Sequence, residues 1–356
     1  MTTLNRLSSH QVQTQEAVTD SSVDRPRLGV KPFDFRGNGF AYFKIWIVNV
    51  LLTAITLGLY SPWAYVRRKR YFYNHTIVAG NAFDYTAQPL ELLKRRLIGV
   101  VIFAVYLLVA SIKPQTELFF IAAFVLALPL LIREWKNFHT WHTTYRNVRF
   151  DFRGNLPGAY EMYLVWPILS LLTLGLIYPF AVMRRKHYDI NNSSFSSTSF
   201  STHLSIKKLY EIYAIAGLIL IGALIVVWFG GARFIVNTYS NLDQNLAGSA
   251  MSSIRWSVIF FMTVIMIVVG SFAYAFVYVE LSTHLWRNTR LEQHRFRSTY
   301  TTQKLFLILL ANAALTGITL GLYWPWARVR LARYRAQQLE LLATGNLNEL
   351  IDSSKS

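Results

Sequence analysis

The sequence predicts an α-helical integral membrane protein with internal repeats. Each repeat combines a segment that either re-enters or spans the membrane with a transmembrane hairpin, and small β-hairpins lie on a basic face. Composition, apolar stretches and repeated sequence predict this class. Hydrophobic residues make up 53% of the 356 residues and charged residues 15%, and the mean hydropathy is +0.30, which is unusual for a soluble chain.

The candidate spans are four charge-free apolar stretches, at residues 97–112, 118–132, 212–230 and 257–279. Residues 1–30 are instead polar and lack the apolar core of a cleavable signal, so we expect a disordered N-terminal tail. Residues 341–356 are predicted to form a polar C-terminal tail. The chain has no cysteine, which excludes disulfides and thiolate chemistry.

The net charge of +18 would indicate nucleic-acid binding in a soluble protein. Here Lys and Arg form short clusters beside apolar segments, as the positive-inside rule expects of cytoplasmic loops. We therefore expect membrane lipids, anionic ones in particular, as partners and no nucleic acid. No protein partner is indicated.

The repeat is direct, since residues 33–38 (FDFRGN) recur unchanged at 150–155. At the same shift, the TLGL of residues 56–59 meets that of residues 173–176, and a truncated third copy begins with TLGL at 319–322. These matches place a first membrane repeat at 31–144, a second at 145–290 and a partial third at 291–340.

A longer block, T-L-G-L-Y-x-P-W-A, stands at residues 56–64 and 319–327, while the middle copy departs from it at 177–180. With this block the chain resembles the bacterial inner-membrane proteins typified by YjgN, a family of unassigned function. The resemblance covers roughly residues 33–334. It implies an inner-membrane location, multi-pass given the apolar stretches, and supplies no reaction or ligand.

The path of the TLGL segments has two interpretations. Basic residues flank the first one on both sides, which favours a segment that enters and leaves on one face, but its counterpart at 305–327 is long enough to span. A glycine and a proline permit a helix break in every copy. These are Gly58, Pro62, Gly175, Pro179, Gly321 and Pro325. Turn-rich pieces at 76–85, 193–202 and 289–299 are predicted β-hairpins that gather on the basic face.

A polar stripe repeats along the TLGL segments at helical spacing. Its members are Asn49, Thr53, Thr56, Ser170, Thr173, Asn312, Thr316 and Thr319. Such a stripe would line a permeation path or a pocket for a polar head group. Hydroxyl and amide groups that bond neighbouring helices are the favoured alternative.

Basic residues form the second set of candidates, for an anion or a lipid head group, because guanidinium binds phosphate through paired hydrogen bonds. They are Arg36, Arg153, Arg67, Arg68, Lys69, Arg184, Arg185 and Lys186. For Arg36 and Arg153 the favoured alternative is pairing with Asp34 and Asp151.

Histidines near glutamates invite a metal interpretation, with His139 and His142 near Glu134, and His284 near Glu280. The copies share no ligand set, so we predict no metal, no cofactor and no catalytic residue, and an enzyme is the less favoured class. The leading hypothesis is a transporter or channel for a small polar solute or a lipid. The alternative is a non-transporting scaffold whose basic aromatic face binds anionic lipid or a partner protein.

Overall fold

The computed structural model describes residues 28–240 and 247–344. The predicted tails therefore lie outside the described residues, except for 28–30 and 341–344. Within the described residues the chain forms ten strands, which are β1 (Leu28–Phe35), β2 (Thr76–Val78), β3 (Asn81–Tyr85), β4 (Thr143–Tyr145), β5 (Val148–Phe152), β6 (Ser193–Phe195), β7 (Thr198–Thr202), β8 (Thr289–Leu291), β9 (His294–Ser298) and β10 (Leu339–Thr344).

These strands form one closed antiparallel barrel in the order β1-β10-β9-β8-β7-β6-β5-β4-β3-β2. The prediction of a purely α-helical class is therefore wrong. An isolated two-stranded hairpin is marginally stable and leaves unpaired edges. Here the short turn-rich pieces pair with one another and with the two terminal strands, so every edge is paired.

The helices form five helical hairpins between the strands of the described residues. The first short hairpin consists of α1 (Gly39–Ile55) and α2 (Ser61–Asn74), and the first long hairpin of α3 (Pro89–Ile112) and α4 (Glu117–Trp141). The second short hairpin runs out through α5 (Leu156–Tyr160), a π-helical turn (Glu161–Val165) and α6 (Trp166–Leu172), and returns through α7 (Tyr178–Asn191). The second long hairpin consists of α8 (Ile206–Ser240) and α9 (Ala247–Arg287), and the third short hairpin of α10 (Thr302–Ile318) and α11 (Trp324–Gln337).

Each helical hairpin leaves the barrel from one strand and returns to the neighbouring strand. Phe35, the last residue of β1, is paired with Thr76, the first of β2, and the other four hairpins repeat this arrangement at their bases. A further backbone hydrogen bond closes each base, such as that from Arg36 N–H to the His75 carbonyl oxygen at 2.9 Å. All five hairpins therefore stand on the same end of the barrel, and neighbouring hairpins pack in a closed ring around it.

The returning helices end in a repeated hydrogen-bond pattern. The hydroxyl of Thr76 donates to the Phe72 carbonyl at 2.8 Å, and Thr143, Ser193 and Thr289 do the same at 2.7–2.8 Å. Each hydroxyl satisfies one of the last carbonyls of its helix, which have no partner within the helix. A threonine or serine therefore caps the returning helix and begins the next strand in four of the five helical hairpins that the structure describes.

The short hairpins reverse direction at the TLGL motif. Thr56 caps the C-terminus of α1. Leu57 follows with a φ of 48° and Gly58 with a φ of 90°, and the Gly58 N–H donates to the Thr53 carbonyl at 2.7 Å. Pro62 lies in the first turn of α2. The other copies repeat this geometry, with Leu174 and Leu320 at φ 49° and 48°. A left-handed leucine is rare, because its Cβ crowds the following carbonyl.

A tyrosine fastens the base of each short hairpin. The Tyr71 hydroxyl donates to the Asn38 carbonyl at 2.7 Å and accepts from the Asn38 N–H at 2.8 Å. Tyr334 forms the same pair of bonds with Thr301, and Tyr188 donates to the Asn155 carbonyl. The start of each outgoing helix is thereby joined to its own returning helix.

We expect Tyr71→Phe to lower the free energy of unfolding by about 1–2 kcal/mol, because the change removes both hydrogen bonds and leaves the Asn38 N–H without its partner, while the Asn38 carbonyl keeps the bond from the Tyr42 N–H. Equilibrium unfolding in mixed micelles measures this. Tyr60→Phe is the matched control, since the Tyr60 hydroxyl bonds only an exposed side chain, that of Arg67. Equal losses from both substitutions would contradict the assignment.

Candidate functional site in the barrel lumen

Five phenylalanines point into the barrel, each from a strand that leads into a helical hairpin. They are Phe33, Phe83, Phe150, Phe200 and Phe296, on β1, β3, β5, β7 and β9 respectively. Successive ring centroids lie 6.4, 6.3, 6.5 and 6.4 Å apart from Phe33 to Phe296. Each phenylalanine is two residues before the end of its strand, and the spacing of the rings is nearly constant, so the five side chains occupy one level of the barrel.

Each of these phenylalanines faces an apolar residue of an adjoining strand. Register pairs join Phe33 to Val78, Phe83 to Tyr145, Phe150 to Phe195, Phe200 to Leu291 and Phe296 to Leu341. Side chains alternate across a strand, so these pairs share the inner face. The lumen thus has two apolar layers with a repeat of five.

The side chains do not fill the lumen completely. A partly open cavity of about 240 Å³ remains, lined by the ten residues of the two layers together with Leu339 and Trp286. Trp286 stands at the end of α9, beside the helical end of the barrel. The cavity therefore lies within the barrel and is walled by aromatic and aliphatic groups.

The polar atoms nearest this cavity already have partners. The Tyr145 hydroxyl donates to the Val78 carbonyl at 2.8 Å, and burial raises the pKa of this hydroxyl, which keeps it protonated. His294 Nδ1 accepts the Thr344 N–H at 3.1 Å, and this bond joins β9 to β10. An apolar ligand would meet no unsatisfied group here, whereas a polar ligand would lose its hydration.

No group of three or more metal-ligating side chains occurs in the part of the chain that the structure describes. His142 Nδ1 lies 2.8 Å from the carbonyl oxygen one helical turn earlier, and His75 Nδ1 lies 2.7 Å from the corresponding carbonyl. At the equivalent positions of two other hairpins, the side-chain amides of Asn192 and Asn288 donate to the carbonyl one turn earlier. These histidines thus act as helix-end caps. The two ring nitrogens of His139 are hydrogen-bonded to the hydroxyls of Tyr65 and Tyr85. His284 accepts a hydrogen bond from the Ser205 N–H.

The predicted polar stripe lies inside the short hairpins. Asn49 donates to the Ala64 carbonyl at 3.4 Å and Asn312 to the Ala327 carbonyl at 3.3 Å, each bond joining the two helices of one hairpin. Thr56, Thr173 and Thr319 bond carbonyls four residues back, and Ser170 bonds that of Trp166. Thr53 and Thr316 are half-buried on the same helices. These contacts fit helix packing, and the stripe does not reach the barrel cavity.

The predicted anion-binding residues fall into two groups. Arg36 and Arg153 are exposed on the barrel and pair with Asp34 at 3.2 Å and Asp151 at 2.8 Å. The others lie midway along the returning helices of the first two short hairpins: Arg67, Arg68, Lys69, Arg184, Arg185 and Lys186. Lys69 is half-buried against the Tyr73 ring at 5.2 Å, and Arg184 pairs with Glu161 at 2.8 Å. Arg67 and Arg185 remain exposed.

The fold and cavity define a class of membrane protein in which helical hairpins stand on a closed barrel with an apolar lumen. The chain belongs to the family described as "Bacterial protein of unknown function (DUF898)", which residues 30–356 match. It is 27% identical to the "Inner membrane protein YjgN" of Escherichia coli O157:H7 over 89% of each chain, and 25% identical to that of Salmonella typhimurium over 90% of this chain and 91% of the relative. No solved structure matches the chain.

These relatives confirm the predicted resemblance. Their names, together with four apolar helices long enough to cross a membrane among the described residues, support the predicted inner-membrane location. The four helices are Pro89–Ile112, Glu117–Trp141, Ile206–Phe234 and Trp256–Arg287. The family description gives no activity.

The luminal phenylalanines were missed as a site by the sequence analysis. Phe33 aligns with Phe150, and Phe83 with Phe200, at the shift of the long repeat, but that shift does not align the first pair with the second. The signal that joins them is a shorter motif, a phenylalanine two residues before the end of each strand that leads into a helical hairpin. Helical hairpins of unequal length separate its copies, so no fixed period appears.

Burial lowers the pKa of His294, and the Glu292 carboxylate opposes this effect only partly. The folded protein therefore binds a proton less readily at His294 than the unfolded chain, whose histidine pKa is about 6.5. The stabilising contribution is present above that pH and is lost on acidification. We expect the unfolding midpoint to fall less between pH 7.5 and pH 5 in His294→Asn, which carries the residue found at the equivalent position 81, than in the parent. Identical pH profiles would contradict this role.

Proposed function

We propose that this protein binds an anionic lipid of the inner membrane, holding part of a hydrocarbon chain in the barrel cavity and the head group at nearby basic residues. The observation that carries the proposal is the cavity of about 240 Å³ walled by aromatic and aliphatic side chains. An engineered apolar cavity of about 150 Å³ binds benzene, so this one has room for several methylenes. Burial of each methylene contributes about 0.8 kcal/mol.

The distribution of charge supports a cytoplasmic barrel. At the far end of the first long hairpin, Lys113 is accompanied by the acidic Glu117. The helix portions nearest the barrel are rich in Lys and Arg, namely Lys94, Arg95, Arg96, Arg133, Lys136, Lys207 and Lys208. Positive residues favour the cytoplasmic side, and this preference supports a barrel on that side. The long hairpins then provide four crossings, since α3 and α4 are about 36 Å long against a hydrocarbon core of about 30 Å.

A head-group site follows from the same orientation. Exposed cations of the returning short helices, such as Arg67, Arg185 and Arg330, lie between the barrel and the hairpin tips. Aromatic side chains accompany them, as for Arg328, whose guanidinium lies 5.2 Å from the Trp324 ring. Arginine and tryptophan at one depth are typical of the head-group region, where arginine binds phosphate.

A path for a polar solute receives less support. The polar stripe that motivated it is bonded within the short hairpins, through contacts such as Asn49 to Ala64 and Asn312 to Ala327. The lumen of the barrel is lined by aromatic and aliphatic side chains. A hydrocarbon chain fits this surface, whereas a hydrated solute would lose its hydrogen bonds to water.

The orientation predicts which positions a membrane-impermeant maleimide reaches in intact spheroplasts with the outer face exposed. Because the chain has no cysteine, single-cysteine variants carry no background. We expect labelling of Gln115→Cys, at the tip of the first long hairpin, and labelling of Ser197→Cys, in a barrel turn, only after permeabilisation. The parent chain is the control, and labelling of Ser197→Cys in intact spheroplasts would contradict the orientation.

Lipid binding is tested with phosphatidylglycerol that carries a diazirine at the end of one acyl chain. After illumination of the protein in micelles, we expect adducts on the peptides of β7, β8 and β9, which contribute to the cavity wall. Leu291→Trp fills the cavity and should reduce those adducts at least fivefold. Leu220→Trp, on the exposed surface of α8, is the matched control.

Two results would reject the proposal. One is a set of adducts confined to the long hairpins, and the other is an equal adduct yield from Leu291→Trp and Leu220→Trp. The head-group contribution is read separately from the triple variant Arg67→Gln, Arg185→Gln, Arg330→Gln. It should lower the yield from phosphatidylglycerol and leave that from a phosphatidylcholine analogue unchanged.

A further inference from the structure

The tips of the three short hairpins share two unfavourable features. Leu57, Leu174 and Leu320 are each 94% exposed and each left-handed, with φ of 48°, 49° and 48°. A left-handed backbone is strained for leucine, and glycine would remove that strain. The leucine side chains pack against almost nothing within the described residues, so packing does not offset the strain.

Further apolar side chains surround each tip leucine. Ile55 and Leu59 are 76% and 60% exposed at the first tip, and their equivalents repeat this at the others: Leu172, Leu176, Ile318 and Leu322. Aromatic residues follow on the side towards the barrel, with Tyr60 and Trp63 stacked at 6.0 Å and Tyr323 and Trp326 at the same distance. An apolar tip, then an aromatic band, then arginine is the order found from hydrocarbon to head group.

Helix lengths limit how deep these tips reach. From the common barrel end, α1 with 17 residues extends about 25 Å, whereas α3 with 24 residues extends about 36 Å. The apolar part of α3 begins after Arg96, about 12 Å from the barrel, and the Arg96 guanidinium bonds the Ser61 hydroxyl near the first tip. The short tips therefore end in the barrel-side half of the hydrocarbon core of about 30 Å, with the Arg96 guanidinium beside the first of them.

The difference in length between short and long hairpins recurs around the whole ring of hairpins on the barrel. Short and long hairpins alternate, except that the third short hairpin packs against the first, where the Phe43 and Trp326 rings lie 5.0 Å apart and Arg333 donates to the Gly37 carbonyl at 2.8 Å. The leaflet beside the barrel thus holds limbs of all five described hairpins, whereas the far leaflet holds only the long hairpins.

We infer that the protein is a wedge in the bilayer, whose three leucine tips enter the barrel-side leaflet alone and give it a preference for membranes that are convex on that side. Extra cross-section in one leaflet spreads its head groups, and positive curvature relieves that stress. The partner is the hydrocarbon of the near leaflet. This role is independent of the barrel cavity.

Curvature preference is measured on single vesicles of Escherichia coli polar lipid that span a range of diameters. Ser197→Cys, labelled from outside with an impermeant dye, reports only molecules with an outward barrel. We expect their surface density to rise at least twofold from large to small vesicles. A density independent of diameter would overturn the inference.

The tips themselves are tested by the triple variant Leu57→Gln, Leu174→Gln, Leu320→Gln, with the triple Leu→Met variant as the control that retains apolar tips. The Gln variant should lose the density gradient and the Met variant should keep it. Should the Gln variant fail to fold, a nitrobenzoxadiazole label on Leu57→Cys still decides. We expect nitroxide lipids to quench this label, and emission typical of water would reject tip insertion.

The lipid-binding proposal fails separately. Diazirine adducts in the cavity should be unchanged in the leucine-tip variants, and the density gradient should be unchanged in Leu291→Trp. A parent protein that shows only one of the two properties identifies which of the two assignments is wrong.

Discussion

Closure of the barrel by its first and last strands is the constraint on which the rest of the structure depends. β1 pairs with β10 from Leu28 and Thr344 to Pro32 and Glu340, so residues far apart in sequence complete the sheet. Without this pairing β2 and β9 would still have neighbours, but β1 and β10 would expose edges that attract other strands. Closure also brings the third short hairpin against the first, through the Arg333 bond to Gly37.

Strand pairing at the base of every helical hairpin determines how the helices are arranged. A hairpin that begins and ends on adjacent strands has both ends on one side, whatever its length. Short and long hairpins are therefore variants of one unit, joined to the barrel by the same kind of bond, such as that of Arg36 N–H to His75. Length alone determines which of them are long enough to cross a bilayer.

Sequence reasoning predicted the repeat, the helix breaks and the β-hairpins, and it failed on their assembly. Residues 76–85 have hairpin character by themselves, because Gly80 adopts a φ of 79° in a tight turn. Nothing local indicates that Phe83 pairs with Tyr145, since that contact bridges the whole first long hairpin. The pairing of Phe33, in the FDFRGN motif, with Val78 is equally non-local. The turn-rich segment at 76–85, predicted to form a separate hairpin on the basic face, is therefore part of the barrel wall.

The candidate site was missed for the same physical reason. A phenylalanine in a strand of alternating apolar and polar residues is predicted to be buried. The sequence of one strand does not indicate whether its inner face packs against a helix or against other strands of a barrel. His142 and Asn288 illustrate the converse. Their residue types differ and suggest different chemistry, yet both bond the carbonyl one turn back at the end of a long hairpin. Equivalent positions in a repeated fold constrain function more strongly than residue type alone.

The two proposed properties follow from different parts of one unit. The strands supply five phenylalanines at one level, which leaves an apolar cavity because a ring of five small units is wider than its side chains can fill. The helices supply tips at unequal depths, because three hairpins end near Leu57, Leu174 and Leu320 and two continue. The tips and the cavity share no residue, so each property depends on a different part of the repeated unit.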